Sequence, residues 1–251
     1  MSELVATCFA EGVLWVTLMR PEKRNALSHA LIAALGAAFD AWRDREDVAL
    51  VVLTGAENKA FASGGDLKEL DAMRGEDEAL AFAMGTREVF DRIRRFPVPV
   101  VAVLNGDALG GGAELALACD HRIALAHARV GFLQARLGIA PAWGGGTDLF
   151  ALVGSSRAVR MLATAQIYRA AEALAQGLVD VVVPDGADPE AFVSTYLGQM
   201  MQPPQVMRAI KSLAVMHRFG GTPDERAASE SAGFAAAWVH DDHWNAVAAM
   251  T

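Results

Sequence analysis

At 251 residues, with 53% hydrophobic and 21% charged side chains, the chain suits a globular protein with a substantial core, as one large domain or a domain with an appendage. A formal charge of −8 argues against nucleic acid as the natural partner and leaves any anionic ligand dependent on local basic groups. There is no run of about 18 uninterrupted apolar residues to suggest a membrane span, no secretory signal is expected from Met1-Ser2-Glu3-Leu4, and Cys8 and Cys119 make no disulfide framework, so a reducing cytoplasm is the expected compartment.

Alternating residues over 4–9 and 13–19 predict two strands about a Glu11-Gly12 turn. A polar loop follows and closes at Ser28, a helix N-cap, with apolar positions 31, 32, 35, 38, 39 and 42 predicting an amphipathic helix over 29–44. The apolar run 48–54 reads as a buried strand, leading into Ala60-Phe61-Ala62-Ser63-Gly64-Gly65-Asp66-Leu67-Lys68. Taken by itself, Ser63 to Asp66 is a turn and a helix cap. Helices are predicted over 66–74 and 77–95, breaking near Gly75 and stopping before Phe96-Pro97. A second buried strand, 99–104, runs into Gly110-Gly111-Gly112 and a helix over 113–119, and 121–126 reads as a short strand. Residues 146–163 read as helix in two pieces split near Gly154. A helix over 170–176 ends at Gly177, and 178–183 is a last apolar strand. Helices near 188–201, 204–217, 223–238 and 241–249 complete the chain. Strands alternating with helices indicate the α/β class.

The chemistry concentrates at the glycine triplet. Glycines allow a sharp turn and a close approach of bare N–H groups to a ligand. The first N–H groups of the following helix lack internal partners and sit at its positive end, which favours an anion or a developing oxyanion. Glu114 lies in the first turn of that helix, and a carboxylate beside such a site is a proton-transfer arrangement. The plainer reading is that the glycines permit strand–helix packing while Glu114 answers the helix dipole. Glycines at 106, 110, 111 and 112 do not follow the dinucleotide pattern, and no Walker lysine follows them. His121, His127 and the run His240-Asp241-Asp242-His243 lack the spacing of a metal site; the last reads as a helix N-terminus.

The run Asn105-Gly106-Asp107-Ala108-Leu109-Gly110-Gly111-Gly112-Ala113-Glu114-Leu115, ending Ala118-Cys119-Asp120, resembles the signature of the crotonase (enoyl-CoA hydratase/isomerase) family. Arg20-Pro21-Glu22-Lys23-Arg24-Asn25-Ala26-Leu27, the Ala60–Lys68 run and Val130 to Gly145 resemble three further family motifs, in family order. The resemblance implies a spiral of ββα turns over residues 1–183, carrying the CoA and catalytic site, and a helical oligomerisation region over 184–251. It implies an acyl-CoA thioester as substrate, with no separate cofactor and no metal, and assembly as a homotrimer or homohexamer.

The resemblance also implies residue roles. Gly65 and Gly111 would supply the N–H pair of an oxyanion hole, with Glu114 as acid/base. Lys23, Arg24, Ala62, Ser63, Asp66 and Leu67 would meet CoA, and Trp143 would wall the acyl pocket or pack in the core beneath the turn. The family more often carries alanine where Gly65 stands. Lys211 falls where relatives often place a lysine near CoA. Hydratases carry a second glutamate where this chain has Gln134, and an amide orients water but does not serve as proton donor. Pro141-Ala142-Trp143-Gly144-Gly145 is similar to members that decarboxylate malonyl-type thioesters. The expected activity is therefore a hydratase-like lyase, with decarboxylation of a substituted malonyl-CoA and catalytically silent acyl-CoA binding as alternatives. A serine-protease reading lacks a G-x-S-x-G-type nucleophile site and an identifiable triad.

Overall fold

Long apolar runs without polar alternation need cover on both faces. In the computed structural model, which describes residues 3–250, that cover comes from a second sheet and a shell of helices. Met1 and Ser2, part of the expectation about a secretory signal, lie outside the described residues, as does Thr251.

The antiparallel hairpin β1 (Val5–Ala10) and β2 (Val13–Leu18) opens the chain. Helix α1 (His29–Trp42) begins where the Ser28 hydroxyl accepts the Leu31 N–H at 3.2 Å, and it buries Leu31, Ile32, Leu35 and Phe39 on one face. Then follow β3 (Leu50–Gly55), β4 (Ala60–Ala62), α2 (Leu67–Leu70) and α3 (Glu76–Arg94). The central unit is β5 (Val100–Leu104), β6 (Asp107–Leu109) and α4 (Gly111–Ala118), continued by β7 (His121–Ala124) and β8 (Arg129–Gly131). After a 3-10 turn at Gln134–Leu137 come α5 (Gly145–Val153), α6 (Ser155–Thr164), β9 (Ile167–Arg169), α7 (Ala170–Ala175) and β10 (Val181–Val182). Four helices close the described chain: α8 (Pro189–Met200), α9 (Pro204–Phe219), α10 (Pro223–Trp238) and α11 (Asp241–Met250).

The larger sheet runs β1-β2-β3-β5-β7-β10, parallel from β2 onward, and the smaller runs β4-β6-β8-β9. From β3 to β8 the chain lays one strand in the larger sheet and the next in the smaller, then crosses back through a helix or loop; β9 joins β8 in the smaller sheet before β10 returns to the larger. This is the expected spiral of ββα turns with a helical C-terminal region. Every residue of α4 is buried, which its glycines, alanines and leucines permit because nothing on the helix needs water except Glu114.

The differences from the sequence reading are local. The smaller sheet was not anticipated, since three-residue strands such as β4 and β6 are too short to show a period. The expected strand over 178–183 shrinks to Val181 and Val182, paired with Ile123 and Ala124. Helix α4 starts at Gly111, two residues earlier than predicted.

The C-terminal helices divide by burial. Helix α8 buries Val193 and Leu197, and α9 buries Met207 and Lys211. Helices α10 and α11 bury no described residue and leave Phe234, Trp238 and Trp244 exposed. Lys211, expected near CoA by resemblance, has its ammonium buried against the carboxylate of Asp120, just beyond α4. No helix among the described residues is long and apolar enough to cross a membrane.

Candidate active site

The two glycine junctions meet. Leu27 forms a parallel bridge with Gly65, through Leu27 N–H to the Gly64 carbonyl at 2.8 Å and Asp66 N–H to the Leu27 carbonyl at 3.1 Å. In a parallel bridge these flanking groups carry both bonds, so the Gly65 N–H points to the other side. Gly65 and Gly111 both line one cavity of about 560 Å³. Gly111 is the first residue of α4, and its N–H has no partner within the helix. A side chain at Gly111 is excluded, because a Cβ there would stand 1.9 Å from Trp143 Cζ3.

Glu114 reaches the same cavity yet is only 2% exposed. Its Oε2 accepts the Trp143 N–H at 2.9 Å and the Gly145 N–H at 3.0 Å, and its Oε1 accepts from Gln134 Nε2 at 2.9 Å. Burial pushes the Glu114 carboxyl above the ordinary glutamate range, while those donors and the Arg94 charge pull the other way. The raised direction prevails, so the group exchanges a proton closer to neutrality than a free glutamate does. Gln134 is itself buried, and its Oε1 has no hydrogen-bond partner among the described residues. An unpaired acceptor at the wall of a cavity is available to a water or ligand donor.

The remaining walls are apolar: Leu70 from α2, Phe82 and Ala83 from α3, and Leu133, Leu137 and Ile139 around the 3-10 turn. Sequence reading missed these, because a wall residue spaced like any core residue carries no local signal. Trp143 is placed both at the cavity and in the packing beneath the turn. It lines the cavity, and its ring packs edge-to-face on Phe82 and Phe90, with centroids 5.6 and 5.7 Å away. Glu114 is the only carboxylate among the cavity-lining residues, and Arg136 the only cation.

The expected CoA contacts divide. Ser63 and Leu67 line the cavity; Lys23, Arg24, Ala62 and Asp66 do not. Asp66 is engaged by Arg20 at 2.7 Å and accepts the Lys68 N–H as the cap of α2, so the plainer reading of a helix cap holds for it. Ala62 is fully buried in β4. Arg24 pairs with Asp107, which also takes two bonds from Arg129, while Lys23 is exposed. The Lys23–Arg24 loop nevertheless lies next to a lining residue, since Ser63 N–H donates to the Arg24 carbonyl at 3.1 Å. No cluster of three or more metal-ligating side chains occurs among the described residues. His240 and His243 flank the start of α11, as expected.

Two sheets wound as ββα turns, with both glycine junctions and a buried glutamate at one cavity, define a crotonase-fold protein with one candidate catalytic cavity. The family model for enoyl-CoA hydratase/isomerase matches residues 9–247, and the chain belongs to that family. It is 40% identical over 168 residues to the short-chain-enoyl-CoA hydratase of Clostridium acetobutylicum, covering 67% of this chain and 64% of that protein. It is 32% identical over 206 residues to the ethylmalonyl-CoA decarboxylase of Bos taurus, covering 80% of this chain and 66% of that protein. In both cases the match spans slightly less than two thirds of the relative. The crystal structure of an enoyl-CoA hydratase from Bacillus anthracis superposes with a TM-score of 0.89 at 30% identity, covering 98% of this chain and 95% of that one.

Proposed function

We propose that the chain is an acyl-CoA enzyme that stabilises a thioester enolate, with the Gly65 and Gly111 N–H groups holding the thioester oxygen and Glu114 moving the proton. The observation that carries this is the convergence of both glycine junctions and one buried, hydrogen-bonded glutamate on a single apolar cavity. Preorganised donors in a dry site stabilise developing charge without reorganisation.

The reading favoured first is hydration of a short 2-enoyl-CoA. Water donates one hydrogen bond to Glu114 and another to the unpaired Gln134 Oε1. Its oxygen bonds to the β-carbon, its proton passes to Glu114, and the π electrons move to the thioester oxygen. The enolate then takes that proton back at the α-carbon, so one carboxylate serves as base and then as acid.

A second reading is supported by one observation: among the described residues Glu114 is the only carboxylate lining the cavity, with Gln134 where the resemblance implies a second glutamate. Decarboxylation of a substituted malonyl-CoA needs only that the bond to the carboxylate break, carbon dioxide leave, and the electron pair rest on the thioester oxygen. A proton then reaches the α-carbon. The likeness to the Bos taurus decarboxylase supports this reading too.

Lys23 and Arg24 are proposed to meet the CoA phosphates from the loop beside Ser63. The exposed aromatic face of α10 and α11 supports self-association as a trimer or hexamer. The cytoplasm remains the proposed compartment.

A time course in heavy water with crotonyl-CoA and ethylmalonyl-CoA together, followed by mass spectrometry, separates the readings. A water adduct of crotonyl-CoA, absent with Glu114→Ala, supports hydration. Loss of carbon dioxide from ethylmalonyl-CoA with deuterium uptake supports decarboxylation instead. If neither substrate changes while CoA thioesters still bind, both readings fail and silent binding stands.

A further inference from the structure

The two N–H groups on Glu114 Oε2 come from the Trp143–Gly145 turn, and that turn is held from behind. Arg94, the last residue of α3, is 3% exposed, and its NH2 donates to the Trp143 carbonyl at 2.9 Å. The same guanidinium reaches Asp148 through Nε at 3.0 Å and Asp91 through NH1 at 2.8 Å. The turn is moulded to it: Gly144 has φ +93°, and a Cβ there would lie 2.6 Å from the Arg94 nitrogen. Glycine meets both demands at once. Asp148 accepts from Arg218 of α9 as well, at 3.0 Å, and Arg218 NH1 donates to the Ala118 carbonyl at the end of α4 at 3.1 Å. The helix that carries Glu114 and the turn that grips it are thus tied to one arginine–aspartate cluster.

We propose that Arg94 is a positioning residue for Glu114, fixing the Trp143–Gly145 peptides so that their N–H groups hold the carboxylate in place. This rests on the proposed role of Glu114 as the proton-transfer group. The carbonyl that Arg94 holds belongs to the Trp143–Gly144 peptide, which lies between the two peptides whose N–H groups reach Glu114, so anchoring it sets the orientation of both neighbours. A planar fork is needed because three acceptors surround the guanidinium in different directions, which a lysine ammonium does not match. The charged groups of the cluster behind the turn are Arg94 and Asp91 from α3, Asp148 from α5 and Arg218 from α9, and Arg136 lines the cavity that Glu114 reaches. Within this set Arg94 is the one whose charge acts on Glu114 to favour ionisation.

The test is a carbon-13 NMR titration of protein labelled at the glutamate carboxyls, with Glu114→Gln identifying the signal. Arg94→Met and Arg94→Lys are each expected to raise the Glu114 titration midpoint, the methionine variant more. Arg218→Met loosens the same cluster from the Asp148 side without touching the turn and is expected to leave the midpoint in place. An unmoved midpoint in both Arg94 variants, or an equal rise in Arg218→Met, overturns the proposal. If Arg94→Met does not fold, Arg94→Lys decides alone. Crotonyl-CoA turnover is read in parallel: kcat is expected to fall by up to about 100-fold in Arg94→Met with KM little changed. A wild-type protein without turnover counts against the proposed function, while the NMR midpoint still decides the role of Arg94.

Discussion

Gln134 donates its amide N–H to Glu114 Oε1 across 2.9 Å, and the other end of the same amide, Oε1, has no partner among the described residues. The side chain therefore holds the carboxylate with one atom and offers an acceptor with the other. Replacing it by glutamate would set two carboxylates in contact, and such a pair titrates in two coupled steps with one proton held to higher pH. Gln134→Glu is expected to raise crotonyl-CoA hydration, because the pair can then give as well as take a proton near neutrality. A steady-state assay with the variant checks this, and a lower hydration rate would count against the hydration reading.

Glu114→Gln keeps the shape of the site and removes its proton chemistry, so turnover is expected to fall by about 10²–10⁴. Stability should change its pH dependence as well. The folded-state pKa of Glu114 is raised by burial, so between the ordinary glutamate value and the raised one the folded chain holds a proton that the unfolded chain has released. This group's contribution is full at low pH and lost as pH rises through the raised pKa. Urea midpoints from acid to neutral pH should fall more steeply in wild type than in Glu114→Gln.

Gly111→Ala places a methyl where the Trp143 ring stands, 1.9 Å from Cζ3. Overpacking of this kind costs about 1–3 kcal/mol or more, because the ring must leave its edge-to-face seats on Phe82 and Phe90. Displacing Trp143 also disturbs a peptide that grips Glu114. The expected result is a lower urea midpoint, an altered near-ultraviolet tryptophan spectrum and a loss of turnover.

Lys211→Met breaks the buried pair with Asp120, which then keeps the Val100 N–H at 2.8 Å. Removing one partner of a fully buried pair costs about 3–5 kcal/mol; Asp120 is 20% exposed, so water offsets part of that and a smaller loss is expected. Burial already pushes the Lys211 ammonium below the usual lysine range. Hydrogen exchange should quicken first in α9, the helix that this pair fastens to the core.

Much of this protein was written in local pattern. Uninterrupted apolar runs predicted β3 and β5, because a strand buried on both faces has no reason to alternate. Ser28 and the apolar spacing behind it predicted α1, and prolines mark the starts of α8, α9 and α10 where their missing N–H is harmless. The glycine triplet and Glu114 were singled out because few residue types turn a backbone sharply or move a proton, whereas Gly65 and Gly111 as an N–H pair came from the family resemblance alone. The order of their motifs carried the family resemblance.

The tertiary structure decided the surroundings of those residues. Glu114 meets Trp143 N across 29 residues of chain, Arg94 meets the Trp143 carbonyl across 49, and Lys211 meets Asp120 across 91. Periodicity reports which face of an element is apolar; it does not say which distant peptide that face will meet. An arginine in the last turn of a helix reads as a solvated end until another helix and a glycine turn close over it. Three-residue strands hold a sheet only because their neighbours present matching edges. The sequence by itself determined the elements and the reactive side chains, whereas burial and the long-range hydrogen bonds that set the proton affinity of Glu114 exist only once the spiral has closed.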